Sequence, residues 1–438
     1  MLDKIFGWGK KKEEPDPGIR FGRYSDNNKP NEKVARWNDA DALFKEKKYP
    51  DSIAAFFDYL KDDTTRNVIH ERSGNEGRFE LFQGSKIVRG TYNNEQLLAE
   101  ATLAKMQQPS VPVMRRLLEM NFNLYYSRFA LDQERLCLQF DSSIEAANPN
   151  KLYYGLKELA TKADKQDDFL VQDFTILQTT DTDHIADIPQ REKEIKYEYL
   201  LKWTKETLDY AASLDADKFS GGIAYLLLSL AYRIDYLITP EGKLLGELEK
   251  IVEIYFRKDE RAAQEKNRDM IAGYEKLLAK PKEDVFPFLF TSKYTFAITA
   301  PQVYKTIADS IYGSNQNITW FRDNNYPLIA SQICEYGIAY CQYSYSLPRP
   351  VTEFFHLFMM VNYCDYFSAL GYREKYYDKA TGQFNSAAII EKIKQVQDKW
   401  KTKFPNMGFK SENLRYDSLL NFDFAFTNEL QLLNMENK

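Results

Sequence analysis

Three side chains in one apolar stretch are the strongest candidates for chemistry. Glu353, His356 and Asp365 lie within residues 351–372, where an isolated buried charge is costly. They are material for a buried polar site, and catalysis would require them to converge in a pocket with perturbed protonation. Ordinary salt bridges and a histidine held by a buried hydrogen bond account for the same residues without chemistry. His184 sits among Asp181, Asp183 and Asp187, but the spacing matches no EF-hand loop and brings no second histidine. His70 falls in a predicted strand. With only 3 histidines the chain has little material for His-based catalysis or metal binding.

No P-loop, dinucleotide fingerprint, zincin helix or nucleophile elbow is present. Gly221-Gly222 opens an apolar helix without the lysine of a phosphate loop. Asp62-Asp63 and Asp167-Asp168 are sequence neighbours and need not face one site. No catalytic residue, cofactor or metal is therefore assigned.

At 438 residues the chain is too long for one ordinary core and implies two or three domains. A net charge of −5 excludes a global basic footprint for nucleic acid. Arg115, Arg116, Arg128 and Arg135 could form a local basic patch, but without interleaved exposed aromatics they read as surface charge. The aromatic share, 15%, is high and is assigned mainly to core packing. Cys137, Cys334, Cys341 and Cys364 form no CxxC pair and read as buried free thiols, which suits a reducing cytosol. The first eight residues are interrupted by Asp3 and Lys4 and make no signal peptide. No uninterrupted apolar run reaches membrane-spanning length, and the nearest candidate, residues 351–372, reads as a buried helix.

Residues 1–31 read as a flexible tail, whose front piece (Leu2, Ile5, Phe6 and Trp8 beside lysines) allows weak contact with a membrane surface. Residues 31–61 have helical spacing interrupted at 45–50, and one such pair without further copies is no repeat array. Strand signals follow at 67–71, 78–83, 85–92 and 97–105, the last compatible with helix as well. Ser110 and Pro112 start a helix over 113–121 whose Val113, Leu117 and Leu118 are expected to face the core. A hairpin at 126–131 and 135–140 and a helix over 151–174 close the unit. Residues 179–190 read as a linker. Residues 191–438 read as an aromatic-rich helical domain, with 221–238 central and the Pro-punctuated 281–301 stretch loop or short structure.

The 113–121 helix ending in Leu-Leu-Glu-x-Asn, then Arg128-Phe129-Ala130-Leu131-Asp132, Arg135-Leu136-Cys137-Leu138 and the 152–163 helix resemble the type III secretion chaperones of the Tir-chaperone kind and their YbjN-like relatives. The resemblance covers roughly residues 32–175. It implies an α+β domain, an antiparallel sheet with helices, that is non-enzymatic and binds protein segments, often as a dimer. Those chaperones are small single-domain proteins, whereas more than half of this chain lies beyond the matching part.

The resulting expectation is an α+β domain over 32–178 followed by a mostly α-helical domain, in a cytoplasmic, chaperone-like protein. It would hold a protein partner, or a second copy, without nucleic acid or cofactor. Partner contact is placed on Phe129, Leu131, Leu136 and Leu138, whichever face the sheet leaves open. The competing expectations are an enzyme with its site near Glu353, His356 and Asp365, and a structural subunit of a larger assembly.

Overall fold

The computed structural model describes residues 16–22, 29–181, 183–297, 299 and 302–435. An N-terminal antiparallel sheet with helices is followed by a mostly helical region. Helices α1 (Asn31–Lys45) and α2 (Tyr49–Leu60) form a hairpin. Ile53, Phe56, Phe57 and Leu60 of α2 recur at i, i+3, i+4 and i+7, so one face is buried.

Strands β1 (Val68–Ser73), β2 (Glu76–Gln83), β3 (Lys86–Tyr92) and β4 (Gln96–Lys105) form a meander. The ambiguous fourth run is a strand because its burial alternates: Leu97, Ala99, Ala101 and Leu103 all face inward. Next come α3 (Val111–Asn121), the hairpin β5 (Arg128–Asp132) and β6 (Arg135–Ser143), helix α4 (Pro149–Asp173) and the short β7 (Gln178–Thr179). The sheet order is β1-β2-β3-β4-β6-β5, with β7 added to β4. Helix α4 crosses one face, burying Leu152, Leu156, Leu159, Ala160 and Ala163 against it.

The second region begins with β8 (Ala186–Asp187), α5 (Gln190–Ala212) and α6 (Ser220–Arg233). Helix α6 runs on into a π turn over 234–238. Then follow α7 (Gly242–Phe256), α8 (Ala263–Leu278), α9 (Lys282–Val285), β9 (Phe290–Thr291), α10 (Tyr304–Asp323) and α11 (Pro327–Ser344). Helices α12 (Arg349–Asn362) and α13 (Cys364–Ala369), the hairpin β10 (Tyr377–Asp378) and β11 (Gln383–Phe384), α14 (Ser386–Trp400) and α15 (Leu419–Gln431) complete it. Among the described residues, only Ser220–Ile238 is long and apolar enough to cross a membrane, and 89% of its most apolar 18-residue window is buried inside the chain. It is the central helix of this core.

Two expected boundaries are corrected. The 179–190 stretch is no free linker, because β7 extends the first sheet and β8 pairs with β9. Residues 293–297 return to the first domain. Gln83 Oε1 accepts the N–H groups of Thr295 at 3.2 Å and Phe296 at 2.9 Å. The Thr295 hydroxyl bonds the carbonyls of Asn67 and Phe82 at 3.0 Å each. Phe296 completes the core beneath α4. The Gly84 N–H donates to the Lys293 carbonyl at 2.9 Å, and at φ +55° this glycine also lets α4 come close, since a Cβ there would lie 2.0 Å from Asp164 Oδ1.

The expected tail is also partly docked. Ile19 and Phe21 pack on the helical core, and the Gly22 N–H donates to the Tyr236 carbonyl at 2.9 Å. That carbonyl belongs to the π turn, where the helical ladder leaves acceptors to satisfy. Leu2, Ile5, Phe6 and Trp8 lie outside the described residues.

Candidate partner-binding site

Helix α3 carries two apolar stripes. Val113 and Leu117, four residues apart, are buried against the domain as expected. Leu118 is not: it stands 100° further round the helix and is 64% exposed, which corrects its expected place in the core. Val111, Leu118 and Phe122 recur at i, i+7 and i+11, so they share the outward face. Phe122 is 92% exposed and Tyr125 is 91% exposed. Tyr126 and Tyr154 add exposed aromatic surface nearby in the chain and on α4. Single exposed apolar residues are ordinary, whereas a cluster of large aromatics marks an interaction surface.

The turn that presents these rings is held from α4. The Glu158 carboxylate accepts the N–H groups of Tyr125 at 2.8 Å, Tyr126 at 2.9 Å and Ser127 at 2.8 Å. It also accepts the Ser127 hydroxyl at 2.7 Å. Partial burial would raise the Glu158 pKa, but these donors outweigh it and hold the carboxyl below its ordinary value. At the end of α3, Asn121 Oδ1 accepts the Phe129 N–H at 2.8 Å. Tyr154 lies one helical turn before Glu158 and so stands over the same corner. Ser110 occupies the N-cap position of α3, but its side chain makes no capping bond.

The residues first expected to meet a partner are turned the other way. The β5–β6 register pairs Phe129 with Leu138 and Leu131 with Leu136, so all four share one face. That face is the one α4 covers. Phe129, Leu136 and Leu138 are buried, and Leu131 is half-buried against the same core. They are core residues of the domain.

The opposite face of the sheet is open and forms a shallow hollow of about 760 Å³. Ile69 and Leu98 are its exposed apolar members. Charges occupy most of the rest and pair across strands. Arg78 meets Glu71 at 2.5 Å, Arg89 meets Glu80 at 3.3 Å and Asp181 at 2.7 Å, and Arg135 meets Glu100 at 2.7 Å. Arg128 pairs with Asp141. This ladder absorbs Arg128 and Arg135 of the expected basic patch, and Arg115 pairs with Glu119 at 3.2 Å.

Glu353, His356 and Asp365 meet three separate neighbourhoods. Glu353 accepts Lys399 Nζ and Trp400 Nε1, each at 2.8 Å, from α14. His356 packs against Phe21, Phe367 and Tyr372, with ring centroids 5.3 to 6.5 Å away. Burial pushes its pKa down to about 4, with Lys392 adding to the effect. Asp365 is exposed on the rim of a different cleft. His184 is half-buried, with Nε2 3.2 Å from the Gly84 carbonyl. His70 Nε2 lies 2.9 Å from the Tyr92 hydroxyl. All four cysteines are free and buried. Among the described residues, no group of three or more His, Cys, Asp or Glu side chains is placed to hold a metal.

The aromatic corner was the part that sequence reasoning missed. Its signal is the second apolar stripe on α3, which one buried face cannot accommodate. Compared with family models, with curated proteins and with solved structures, the chain matches none.

Proposed function

We propose that the α+β domain is a non-enzymatic protein-binding module whose contact surface is the corner formed by Leu118, Phe122, Tyr125 and Tyr154. The observation that carries this reading is the exposure of Phe122 and Tyr125 on a turn fixed by Glu158. Aromatic anchors that are ordered before binding lose little entropy on association, which suits them to be hot spots. The outward stripe of Val111, Leu118 and Phe122 fits an amphipathic helical segment of a partner, laid along α3. Arg115 and Glu119 form a polar rim beside it. The resemblance to secretion chaperones points the same way. Four buried free thiols fit a reducing compartment.

Photo-crosslinking from position 122 in cells of the source organism tests the proposal. A crosslink to an apolar segment of one partner, lost in Leu118→Ser and Tyr125→Ser, supports it. A crosslink only to a second copy, with sedimentation that depends on concentration, would reassign the corner to self-association. No crosslink and a concentration-independent monomer overturn the proposal.

A further inference from the structure

The helical domain holds a separate cleft of about 440 Å³ between α5, α6, α11 and the α12–α13 junction. Its floor is Arg233, the last residue of α6, which is only 4% exposed. Arg233 Nε donates to Glu335 Oε1 at 2.7 Å, and Nη2 donates to Glu335 Oε2 at 3.0 Å and to Gln332 Oε1. The guanidinium carbon lies 4.8 Å from the Tyr363 ring centroid and 5.7 Å from that of Trp203. Nη1 makes no hydrogen bond to a described residue, yet it is not sealed from solvent. It opens on the cleft that Arg233 lines.

Asn362 stands beside it. Its Nδ2 donates to Asp423 Oδ1 at 2.9 Å and to the Phe358 carbonyl at 3.1 Å, while Oδ1 is left as an accessible acceptor. The floor thus offers one fixed charged donor and one neutral acceptor. Tyr210 and Leu328 supply partly exposed apolar wall. At the rim, Lys202 and Lys379 are balanced by Glu206 and Asp365. An immobilised guanidinium with one nitrogen open to the cleft presents a fixed, charged donor to an incoming acceptor. The cleft is about equally polar and apolar, and a concavity of this size that sets fixed polar groups beside an apolar wall suits a small polar organic molecule.

We propose that this cleft binds a small organic molecule that sets a carbonyl or carboxylate oxygen on Arg233 Nη1 and a flat apolar body against Tyr210 and Leu328. The site is independent of the aromatic corner on the first domain. Ligand-observed fluorine NMR on the full chain tests it, with para-fluorobenzoate and para-fluorobenzamide as probes. Line broadening of the benzoate alone identifies an anion as ligand, and broadening of the benzamide as well identifies a neutral carbonyl. Either result, abolished by Leu328→Trp at the exposed mouth and weakened about tenfold by Arg233→Lys, supports the site. Leu328→Trp leaves the buried ion pair intact, so it remains informative if Arg233→Lys fails to fold. No broadening of either probe at millimolar concentration, or broadening that survives Leu328→Trp, overturns the proposal.

Discussion

Glu158 on α4 and Ser127 just before β5 are joined twice. The Ser127 N–H and hydroxyl both donate to the Glu158 carboxylate, at 2.8 and 2.7 Å. With the N–H groups of Tyr125 and Tyr126 on the same carboxylate, the turn is fixed by a single side chain. Glu158→Gln keeps one acceptor oxygen and loses the charge. The expected cost at neutral pH is about 1 kcal/mol after allowance for solvent screening. The folded pKa of Glu158 lies below its ordinary value of 4.5, so its contribution is complete above that value. It is lost as pH falls through the folded pKa. Chemical denaturation at neutral and acid pH should therefore show a gap between wild type and Glu158→Gln that closes in acid. A gap that persists unchanged would remove Glu158 from its anchoring role.

Much of the first domain is legible along the chain because its contacts are local. The α1–α2 break, the meander and the 135–140 strand follow from turns and periodicity over a few residues. What alternation cannot decide is which face of a hairpin is covered. In β5 and β6, Phe129, Leu136 and Leu138 alternate with Arg128, Arg135 and Gln139, and the polar set was the readable sign of the open face. The 293–297 segment was opaque for another reason. Its place is set by Gln83 and Asn67, more than two hundred residues away, and no local pattern encodes that distance. The candidate catalytic trio failed in the same way, since a shared apolar stretch does not make three side chains converge.

Gln83 is the clasp between the two domains. Its Oε1 accepts two buried N–H groups, those of Thr295 and Phe296, and its side chain is fully buried. Gln83→Ala strands both donors, and each buried unsatisfied group costs about 1–3 kcal/mol. The expected result is a loss on the order of 2–4 kcal/mol and release of the 290–299 segment from the first core. Limited proteolysis gives the readout: cleavage within 290–299 should quicken far more than cleavage elsewhere. Uniform resistance in the variant would mean that Phe296 packing alone holds the junction.

His356 ties the docked 16–22 segment to acid sensitivity. Its pKa is pushed from 6.5 to about 4 by burial first and by Lys392 second, so the folded protein keeps it neutral. The unfolded chain protonates it below 6.5, and stability should fall as pH drops from 6.5 towards 4, by up to roughly 3 kcal/mol. Above 6.5 the group contributes no pH dependence. His356→Leu should flatten that part of the stability curve while keeping the packing with Phe21. Thermal melts of both proteins across the window would expose the error if their curves stayed parallel.

Asp423 shows the opposite sign. It is fully buried, and its two oxygens accept Asn362 Nδ2 and the Ser331 hydroxyl. Desolvation, with the Glu335 charge nearby, raises its pKa from 3.8 to about 7 against those two bonds. The folded state therefore holds a proton that the unfolded state has released, and stability declines as pH rises from 3.8 towards 7. Asp423→Asn is a neutral isostere whose oxygen still accepts from Asn362, and the Ser331 hydroxyl can reverse to accept from the new amide. The variant should match wild type near pH 5 and exceed it at pH 8, by an amount on the order of 1–3 kcal/mol. Urea midpoints at those two pH values decide the matter. A variant less stable than wild type at both would show that the ionised carboxylate, and not its protonated form, holds Ser331 and Asn362 in place.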